Sequence, residues 1–369
     1  MNLHPSLSRV DTARWRTEVH RDDTAWDVLG EGWNDLYDRS RATPFQALAW
    51  NAAWWRHYGR PGGLRLVAVW RDDRLIALAP LMVRRRHGHR VLAPLAAAQS
   101  DHTDVLVDTE HASAAVGRLV EALLDEPGWS VLDFPEVMPN GSAGALAEHW
   151  PRPGRRVPSS VCLRLPACEP EEFCARFPRR AAGKIRARLR KIEALGLDVR
   201  QAAPADARRG VADLLGLHRR QWQGRGINPE HLRPRFAAML GDAAAAMIAS
   251  GQAALTEYRR EGRLVAADLA VIGPDWVGAY LYGAVPDLRT GGMDVALMLL
   301  GNDLRLACRG GLPFLSLLRG QEDYKLKWRP DLIQNERIVL CRSARSAGYL
   351  GLVSARAELT RLRHRARTS

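Results

Sequence analysis

Two acidic side chains and a phenol interrupt apolar stretches in the C-terminal half of this 369-residue sequence. Glu257 and Asp268 lie in stretches with the composition of neighbouring β-strands, and Tyr282 lies in the stretch that follows. An unpaired carboxylate in a buried strand is costly, so a carboxylate in such a position either reaches solvent or has a role. We therefore predict Asp268 as a general base, Tyr282 as a proton donor and Glu257 as a substrate-binding residue.

The elements that must position these residues are three short strands. Residues 253–258 and 264–272 flank a charged turn, a pattern that is typical of a hairpin. Residues 276–285 follow a Gly-Pro-Asp turn. Because neighbouring strands of such a meander lie side by side, we expect all three candidate residues in one small sheet.

A glycine-containing loop follows the third strand and precedes a long apolar stretch with helical character. Its residues are Arg289, Thr290, Gly291 and Gly292. Glycines at the start of a helix let backbone amides converge on an anion at the positive end of the helix dipole. We therefore predict that this loop binds an anionic group, with Arg289 adding a charged contact.

This loop resembles the pyrophosphate loop of the GNAT acetyltransferases, Gln/Arg-x-x-Gly-x-Gly/Ala, although its glycines fall one residue early. The segment after the next strand is similar to the Gly-x-x-x-Tyr-Lys-x-x-Trp signature of the CelD-type acetyltransferases of cellulose biosynthesis, which are relatives of the FemAB peptidyltransferases. The matching residues are Gly320, Tyr324, Lys325 and Trp328. Ser316 stands where that family usually has an aspartate.

The resemblance implies an α/β fold made of two tandem GNAT-like units, each a mixed, mostly antiparallel sheet flanked by helices. It implies transfer of an acyl group from acetyl-CoA or another acyl-CoA, used as a co-substrate without a metal, to an amine of a small molecule or amino sugar. Tyr324 and Lys325 then join the catalytic residues, with Lys325 expected to hold a carboxylate or phosphate of the substrate.

The chain order is consistent with a duplicated unit. The strand, charged turn and second strand at residues 64–83 repeat the strand-turn-strand pattern at 253–272. We predict an N-terminal extension at 1–42, a first unit at 43–165 without the anion loop, and a second unit at 166–345 with the acyl-CoA site. A proline-rich stretch at 151–158 is expected to connect them, and a basic tail follows at 346–369.

Two further carboxylates precede a short strand in the first unit. Asp101 and Asp104 belong to a Ser-Asp-x-x-Asp element that resembles one found in the family, and we predict that they line the acceptor cleft. Such a cluster is more often simply an Asx turn.

The net charge of +13 favours anionic partners, but only four of the 54 basic residues are lysine, a skew that points to genomic base composition. The helix predicted at 179–195 is amphipathic and strongly basic. It is either a solvated face or, as in FemAB-type enzymes, a surface for tRNA.

Five cysteines without paired spacing argue against disulfides and zinc. No apolar run has the length of a membrane span, and we expect a soluble cytoplasmic protein.

Three functions are compatible with these features. The first is acyl-CoA-dependent N-acylation, the second is a FemAB-like transfer from aminoacyl-tRNA, and the third is a non-catalytic relative that serves polysaccharide or natural-product assembly. The acceptor and the oligomeric state are not encoded in any recognisable motif.

Overall fold

The computed structural model of the protein describes residues 13–223, 226–290 and 292–368, without the side chains of residues 289, 290 and 359–368. The N-terminal unit contains β1 (Trp15–His20), α1 (Ala25–Asp38), α2 (Leu48–Tyr58), β2 (Leu64–Arg71), β3 (Arg74–Arg86), β4 (His89–Pro94), β5 (Leu106–Val107), α3 (Ala112–Asp125), β6 (Val131–Val137), α4 (Ser142–Glu148) and β7 (Gly154–Pro166).

The C-terminal unit contains α5 (Pro170–Ala175), α6 (Arg179–Glu193), β8 (Asp198–Gln201), α7 (Ala207–Trp222), α8 (Pro234–Ala249), β9 (Ala253–Arg260), β10 (Arg263–Ile272), β11 (Trp276–Ala284), α9 (Pro286–Thr290), α10 (Val295–Arg309), β12 (Phe314–Arg319), α11 (Asp323–Leu326), β13 (Asp331–Cys341) and α12 (Gly348–Thr368). Among the described residues, no helix combines the length and apolar character needed to cross a membrane.

The two units share one element order. The series β1-α1-α2-β2-β3-β4-α3-β6-α4-β7 is repeated as β8-α7-α8-β9-β10-β11-α10-β12-α11-β13. This repetition confirms the prediction of two tandem α/β units. Within the predicted extension at 1–42, the described residues from 13 onward pack with the N-terminal unit, since β1 pairs with β2 along its whole length and Trp33 of α1 is fully buried in the core.

All strands of the described chain join one sheet, in the order β1-β2-β3-β4-β6-β13-β7-β12-β11-β10-β9-β8, with β5 added beside β3. Pairing is antiparallel except between β4 and β6 and between β11 and β12. Each unit therefore contains one parallel pair at the same place in its element order.

The last strand of each unit lies in the other half of the sheet. β7 ends the N-terminal unit but pairs with β12, and β13 ends the C-terminal unit but pairs with β6. The two exchanged strands pair with each other at the centre. The stretch predicted as a connection at 151–158 thus enters a central strand.

Helices cover both faces of the C-terminal half. α7 and α8 bury Val211, Leu214 and Phe236 against one face, and α10 buries Leu297, Leu300 and Leu304 against the other. The contact between α7 and β11 is especially close, because a Cβ on Gly283 would lie 2.4 Å from the backbone nitrogen of His218. Glycine at this position lets a helix approach the strand that carries Tyr282.

Candidate active site

A short parallel pairing creates an opening in the C-terminal half of the sheet. β11 and β12 pair only at their first three residues, ending with Gly278 opposite Ser316. Beyond this point β11 continues to Ala284 without β12 beside it. A bulge on β11 at Tyr280 adds to the irregularity, because Ala279 and Leu281 pair with consecutive residues of β10.

A cleft of about 660 Å³ lies at this opening, between the free end of β11, the start of α10 and the segment after β12. We call it the splay cleft. Its lining comprises Arg188, Trp222, Tyr282, Gly292, Met293, Asp294, Val295, Ala296, Tyr324 and Lys327. The structure therefore brings together three predicted site residues, Tyr282, Gly292 and Tyr324. The predicted loop residue Gly291 and the side chains of Arg289 and Thr290 lie outside the described residues.

Side chains of α7 form hydrogen bonds with backbone groups on the exposed edge of β11. The Nδ1 atom of His218 lies 2.7 Å from the Tyr282 carbonyl oxygen, and the backbone N–H of Ala284 donates to Gln221 Oε1 at 2.9 Å. Both α7 side chains are buried. The carbonyl and amide that the departure of β12 leaves unpaired are thus satisfied from within the chain.

A second histidine fixes the orientation of the first. Because the carbonyl of Tyr282 can only accept, His218 carries its proton on Nδ1, and its Nε2 accepts from His231 Nδ1 at 3.3 Å. Burial lowers the pKa of His218 and lowers that of His231 to about 4. Both rings are therefore neutral at physiological pH, as this chain of hydrogen bonds requires.

The first turn of α10 is capped by a side chain of the chain itself. Asp294 caps this helix, and its Oδ1 accepts from the backbone N–H of Leu297 at 3.1 Å. Its Oδ2 is paired with Arg188 at 3.1 Å and with Lys327 at 3.4 Å. A carboxylate of the chain itself thus sits where an anionic ligand was expected, and two cations of the splay cleft already contact it.

The basic helix α6 borders the same cleft. Arg188 lies on it, and Lys191 donates to the carbonyl oxygen of Gly292 at 3.3 Å. All seven of its cations are exposed: Arg179, Arg180, Lys184, Arg186, Arg188, Arg190 and Lys191. Among the described residues, no carboxylate lies within ion-pair distance of Arg179, Arg180, Lys184, Arg186 or Arg190.

Asp268 lies under α10 and does not line the splay cleft as the described residues form it. It is buried together with Tyr258 of β9 and Asp303 of α10. Desolvation raises the pKa of Asp268 to about 7 and raises the pKa of Asp303 well above its ordinary value. Two carboxyl groups this deeply buried cannot both ionise at low cost, so the pair holds a proton near neutral pH.

Glu257 and Asp268 lie on opposite faces of the sheet. Asp268 faces α10, whereas the carboxylate of Glu257 is directed towards Gly210 of α7 and is paired with Arg259 at 2.7 Å. The alternation of side chains along adjacent strands explains this separation, because Glu257 pairs with Ala267 rather than with Asp268. The structure does not bring these two candidates together.

Lys325 is not among the residues that line the splay cleft. Its Nζ donates to the carbonyl oxygen of Arg319 at 2.8 Å and is paired with Glu322 at 3.0 Å. The guanidinium of Arg319 in turn is paired with Asp101 of the N-terminal unit. Burial raises the pKa of Asp101, and the nearby Arg319 opposes that effect. Asp101 and Lys325 therefore meet at the junction of the units.

Asp104 has a structural position. Its carboxylate accepts from the backbone N–H groups of Val105, Ser142 and Ala143, at 2.8, 2.9 and 2.6 Å. It thereby satisfies the first amides of α4, which supports the Asx-type interpretation of this residue. Despite these bonds, complete burial raises its pKa to about 6.

Ser316, which replaces the aspartate of the CelD-type signature, supports the backbone of β12. Its Oγ accepts from the N–H of Leu318 at 3.2 Å, and Leu318 has a left-handed φ of 57°. β6 carries a matching left-handed residue, Glu136, with φ of 58°. Non-glycine residues in this region are strained, and such strain concentrates at functional sites.

Sequence reasoning missed several residues in and beside the splay cleft. Asp294 directly precedes the apolar stretch of α10, which is the position of an N-cap, and this signal was available. His218 and Gln221 carried no local signal, because their role depends on the contact between α7 and β11.

The comparisons with known proteins agree with this architecture. Residues 179–326 match the family described as Acetyltransferase (GNAT) domain. The match starts with α6 and ends in α11, so it includes the whole splay cleft. No curated protein sequence matches the chain.

Solved structures match over most of the chain. FemX is 12% identical, with 84% of this chain and 95% of that chain covered at a TM-score of 0.60. L-PGS from Bacillus licheniformis is 12% identical, with 88% and 95% covered at a TM-score of 0.54. A conserved protein of unknown function from Bacteroides thetaiotaomicron is 11% identical, with 88% and 100% covered at 0.55. At these identities the likeness shows a shared fold alone.

Proposed function

We propose that the protein is an N-acyltransferase and that the splay cleft of its C-terminal unit receives the acyl donor. The observation that carries this proposal is the three-residue pairing of β11 and β12 beside a cleft bordered by cations. Acyl transfer to an amine needs an oxyanion donor and a proton for the leaving group. Because the Tyr282 carbonyl and the Ala284 amide on the diverging strand are already bonded to α7, the phenols of Tyr282 and Tyr324 are the donors that this cleft offers.

We favour aminoacyl-tRNA as the donor. The pantetheine arm of CoA carries amides that suit pairing with a free strand edge, yet the carbonyl of Tyr282 and the amide of Ala284 are already bonded to α7. The diphosphate of CoA would also meet the carboxylate of Asp294 at the α10 N-terminus, and like charges repel. A polynucleotide, in contrast, suits the exposed cations of α6. Transfer from aminoacyl-tRNA is also what the FemAB resemblance implies.

Acyl-CoA dependence is the second candidate. It is supported by the match to an acetyltransferase domain and by the position of Gly292, with a left-handed φ of 71°, in the loop before α10. Under this proposal the diphosphate replaces Asp294 as the ion-pair partner of Arg188 and Lys327. The acceptor is then an amine of a small molecule or amino sugar, in line with the CelD-type resemblance.

One experiment separates the donors. Melting temperatures are measured with CoA, acetyl-CoA and bulk tRNA, since a ligand stabilises the folded state that binds it. The tRNA donor predicts stabilisation by tRNA and transfer of a radiolabelled aminoacyl group to an amine. Stabilisation by CoA alone supports the second candidate. No shift with any of the three contradicts both.

A charge variant sharpens this test. Lys184→Gln, Arg186→Gln and Arg190→Gln together remove three exposed α6 cations that have no ion-pair partner among the described residues. We expect the slope of log affinity for tRNA against log salt to shrink by about one per lost phosphate contact. The matched control changes Arg60, Arg85 and Arg152, which are equally exposed and belong to the N-terminal unit. Equal slopes for both triple variants would contradict a role for α6.

A further inference from the structure

A second cleft of the described chain is separate from the splay cleft. It has a volume of about 810 Å³ and lies between α6, α10 and the face of the sheet formed by β9 to β11. Its walls are mainly aliphatic, and they include Leu189, Ile192, Leu197, Ile272, Met298 and Leu306. A cleft of this size and character is in the range of small-molecule sites. We call it the α6–α10 groove.

A glycine on α10 keeps this groove open. Gly301 lies in the middle of the helix, where glycine costs about 1 kcal/mol relative to alanine. Close packing does not require it, because an added Cβ would meet only Leu189 Cδ2, at the ordinary contact distance of 3.9 Å. Gly210 of α7 is different, since its Cβ would lie 2.5 Å from Leu255 Cδ2. The missing side chain at Gly301 therefore leaves free space inside the groove.

Two arginines follow Gly301 along the same face of the helix. Arg305 and Arg309 line the groove at intervals of four residues, one turn apart. Within the described ranges, no carboxylate lies at ion-pair distance from either guanidinium. Glu193 is the single carboxylate among the lining residues. The aliphatic groove thus carries two cations, one helical turn apart, that are available to an anionic head.

The shape of the groove suits an extended chain. Its lining runs from Tyr258 of β9 to Ile272 of β10, and Val271 is paired with Ala253 at the other end of β9. Five residues of strand separate these levels, which corresponds to roughly 17 Å. Leu312 packs with Ile272 at one end, and Met298 packs with Tyr258 at the other. Arg309 belongs to the Ile272 end, whereas Arg305 lies one helical turn closer to Tyr258, with which it interacts electrostatically. The two cations therefore extend from one end of the groove towards its middle.

We propose that the α6–α10 groove binds a long-chain fatty acid. The aliphatic chain lies against the walls of the groove, where its burial supplies most of the binding free energy. The carboxylate is held by Arg305 and Arg309 through charge-assisted hydrogen bonds. This site does not take part in acyl transfer at the splay cleft.

The test uses the intact protein and the fluorescent fatty acid cis-parinaric acid, displaced by palmitate. We expect saturable binding by the wild type. Gly301→Leu should fill the groove and lower the affinity at least about tenfold, or about 1.4 kcal/mol. Because leucine has a higher helix propensity than glycine, the melting temperature of this variant should equal or exceed that of the wild type. Gly117→Leu on α3, where no atom lies within 4 Å of an added Cβ, is the matched control and should bind normally.

The head group is tested separately. Arg305→Gln combined with Arg309→Gln should weaken palmitate about tenfold and leave methyl palmitate, which has no charge, unchanged. Equal affinities of wild type and Gly301→Leu for the probe would overturn the site. Equal losses for palmitate and its methyl ester would overturn the role of the arginines. Displacement of the probe by phosphatidylglycerol vesicles but not by palmitate would overturn the assignment to a free fatty acid.

Discussion

Two phenols reach the splay cleft, and they differ in what surrounds their backbones. Tyr282 sits on the strand edge held by His218, whereas Tyr324 lies in the single turn of α11. If Tyr324 supplies the proton of the leaving group, Tyr324→Phe should lower turnover by about 10²- to 10⁴-fold. Its free energy of unfolding should stay within about 0.5 kcal/mol of wild type, since the residue is not in the core. Initial rates of acyl transfer for Tyr324→Phe and Tyr282→Phe measure this, and wild-type rates in both would remove the phenols from the mechanism.

Lys325 and Lys327 are two residues apart but have different surroundings. The side chain of Lys325 is 13% exposed and bonded to the Arg319 carbonyl, whereas that of Lys327 is 37% exposed. Arginine cannot reproduce a bond made by a compact ammonium in a confined site. We expect Lys325→Arg to lower the free energy of unfolding by about 1–3 kcal/mol and Lys327→Arg by less than about 0.5 kcal/mol. Urea unfolding of both variants gives the comparison, and identical midpoints would contradict it.

At the scale of elements, the cap of α10 decides which anions the splay cleft accepts. Asp294→Asn keeps an efficient N-cap, so the melting temperature should change little. The variant removes the negative charge beside Arg188 and Lys327. We expect its affinity for inorganic pyrophosphate to rise about tenfold, or about 1.4 kcal/mol. Isothermal titration tests this, and unchanged affinity would show that the carboxylate does not exclude anions.

The attachment of α10 to the sheet should depend on pH. Asp268, with Tyr258 beside it on β9, faces Asp303 of α10, and Arg305 is the nearby cation. The folded pKa of Asp268 is raised to about 7 from 3.8. Between these values the folded state keeps a proton that the unfolded state releases, so stability is highest at low pH within this window and falls as pH rises through it.

Removing the ionisable group should remove that loss. We expect Asp268→Asn and Asp303→Asn each to exceed the wild type in stability at pH 8 by more than about 1 kcal/mol. At pH 5 the difference should be small. Urea unfolding at the two pH values measures it, with the exposed Asp275→Asn as the control. A wild-type pH dependence in the variants would disprove the shared proton.

What the sequence predicts well here is local. The hairpins at 64–83 and 253–272 and the basic helix at 179–195 are present, because periodicity and turn residues report on neighbours along the chain. The pairing of Asp268 with Asp303 was out of reach, since it depends on how α10 lies on β10. The N-cap of α10 is visible in the sequence, but the glycines before it favoured the prediction of an anion-binding loop instead.

At the scale of the whole molecule, partner choice between strands was not predictable. β7 is a regular strand in sequence, but nothing local shows that it pairs with β12 rather than with β6. Because a proline-rich segment leads into β7, the sequence predicts a linker at this place. The duplicated architecture was predictable because it repeats local strand-turn-strand patterns. The exchange of the final strands, in contrast, depends on contacts between residues far apart in the sequence.

The exchange makes the units interdependent. Without β13, the N-terminal unit exposes the edge of β6, and without β7 the C-terminal unit exposes the edge of β12. We expect residues 1–152 and 167–369 expressed alone to lack cooperative unfolding, because each loses a central strand. Co-expressed pieces 1–168 and 169–369, which keep every strand, should form a 1:1 complex by gel filtration. Cooperative melting of either short piece alone would contradict this.

Strand exchange also sets the timing of folding during synthesis. β6 ends at Val137, but its partner β13 begins only at Asp331. At the usual pace of a ribosome this interval lasts roughly 10–40 s. Throughout it the nascent chain presents an open sheet edge, which is a template for aggregation. The N-terminal half therefore gains its last neighbouring strand only after β8 to β12 have been made, so the yield of the protein in the cell should depend on chaperones that shield that edge.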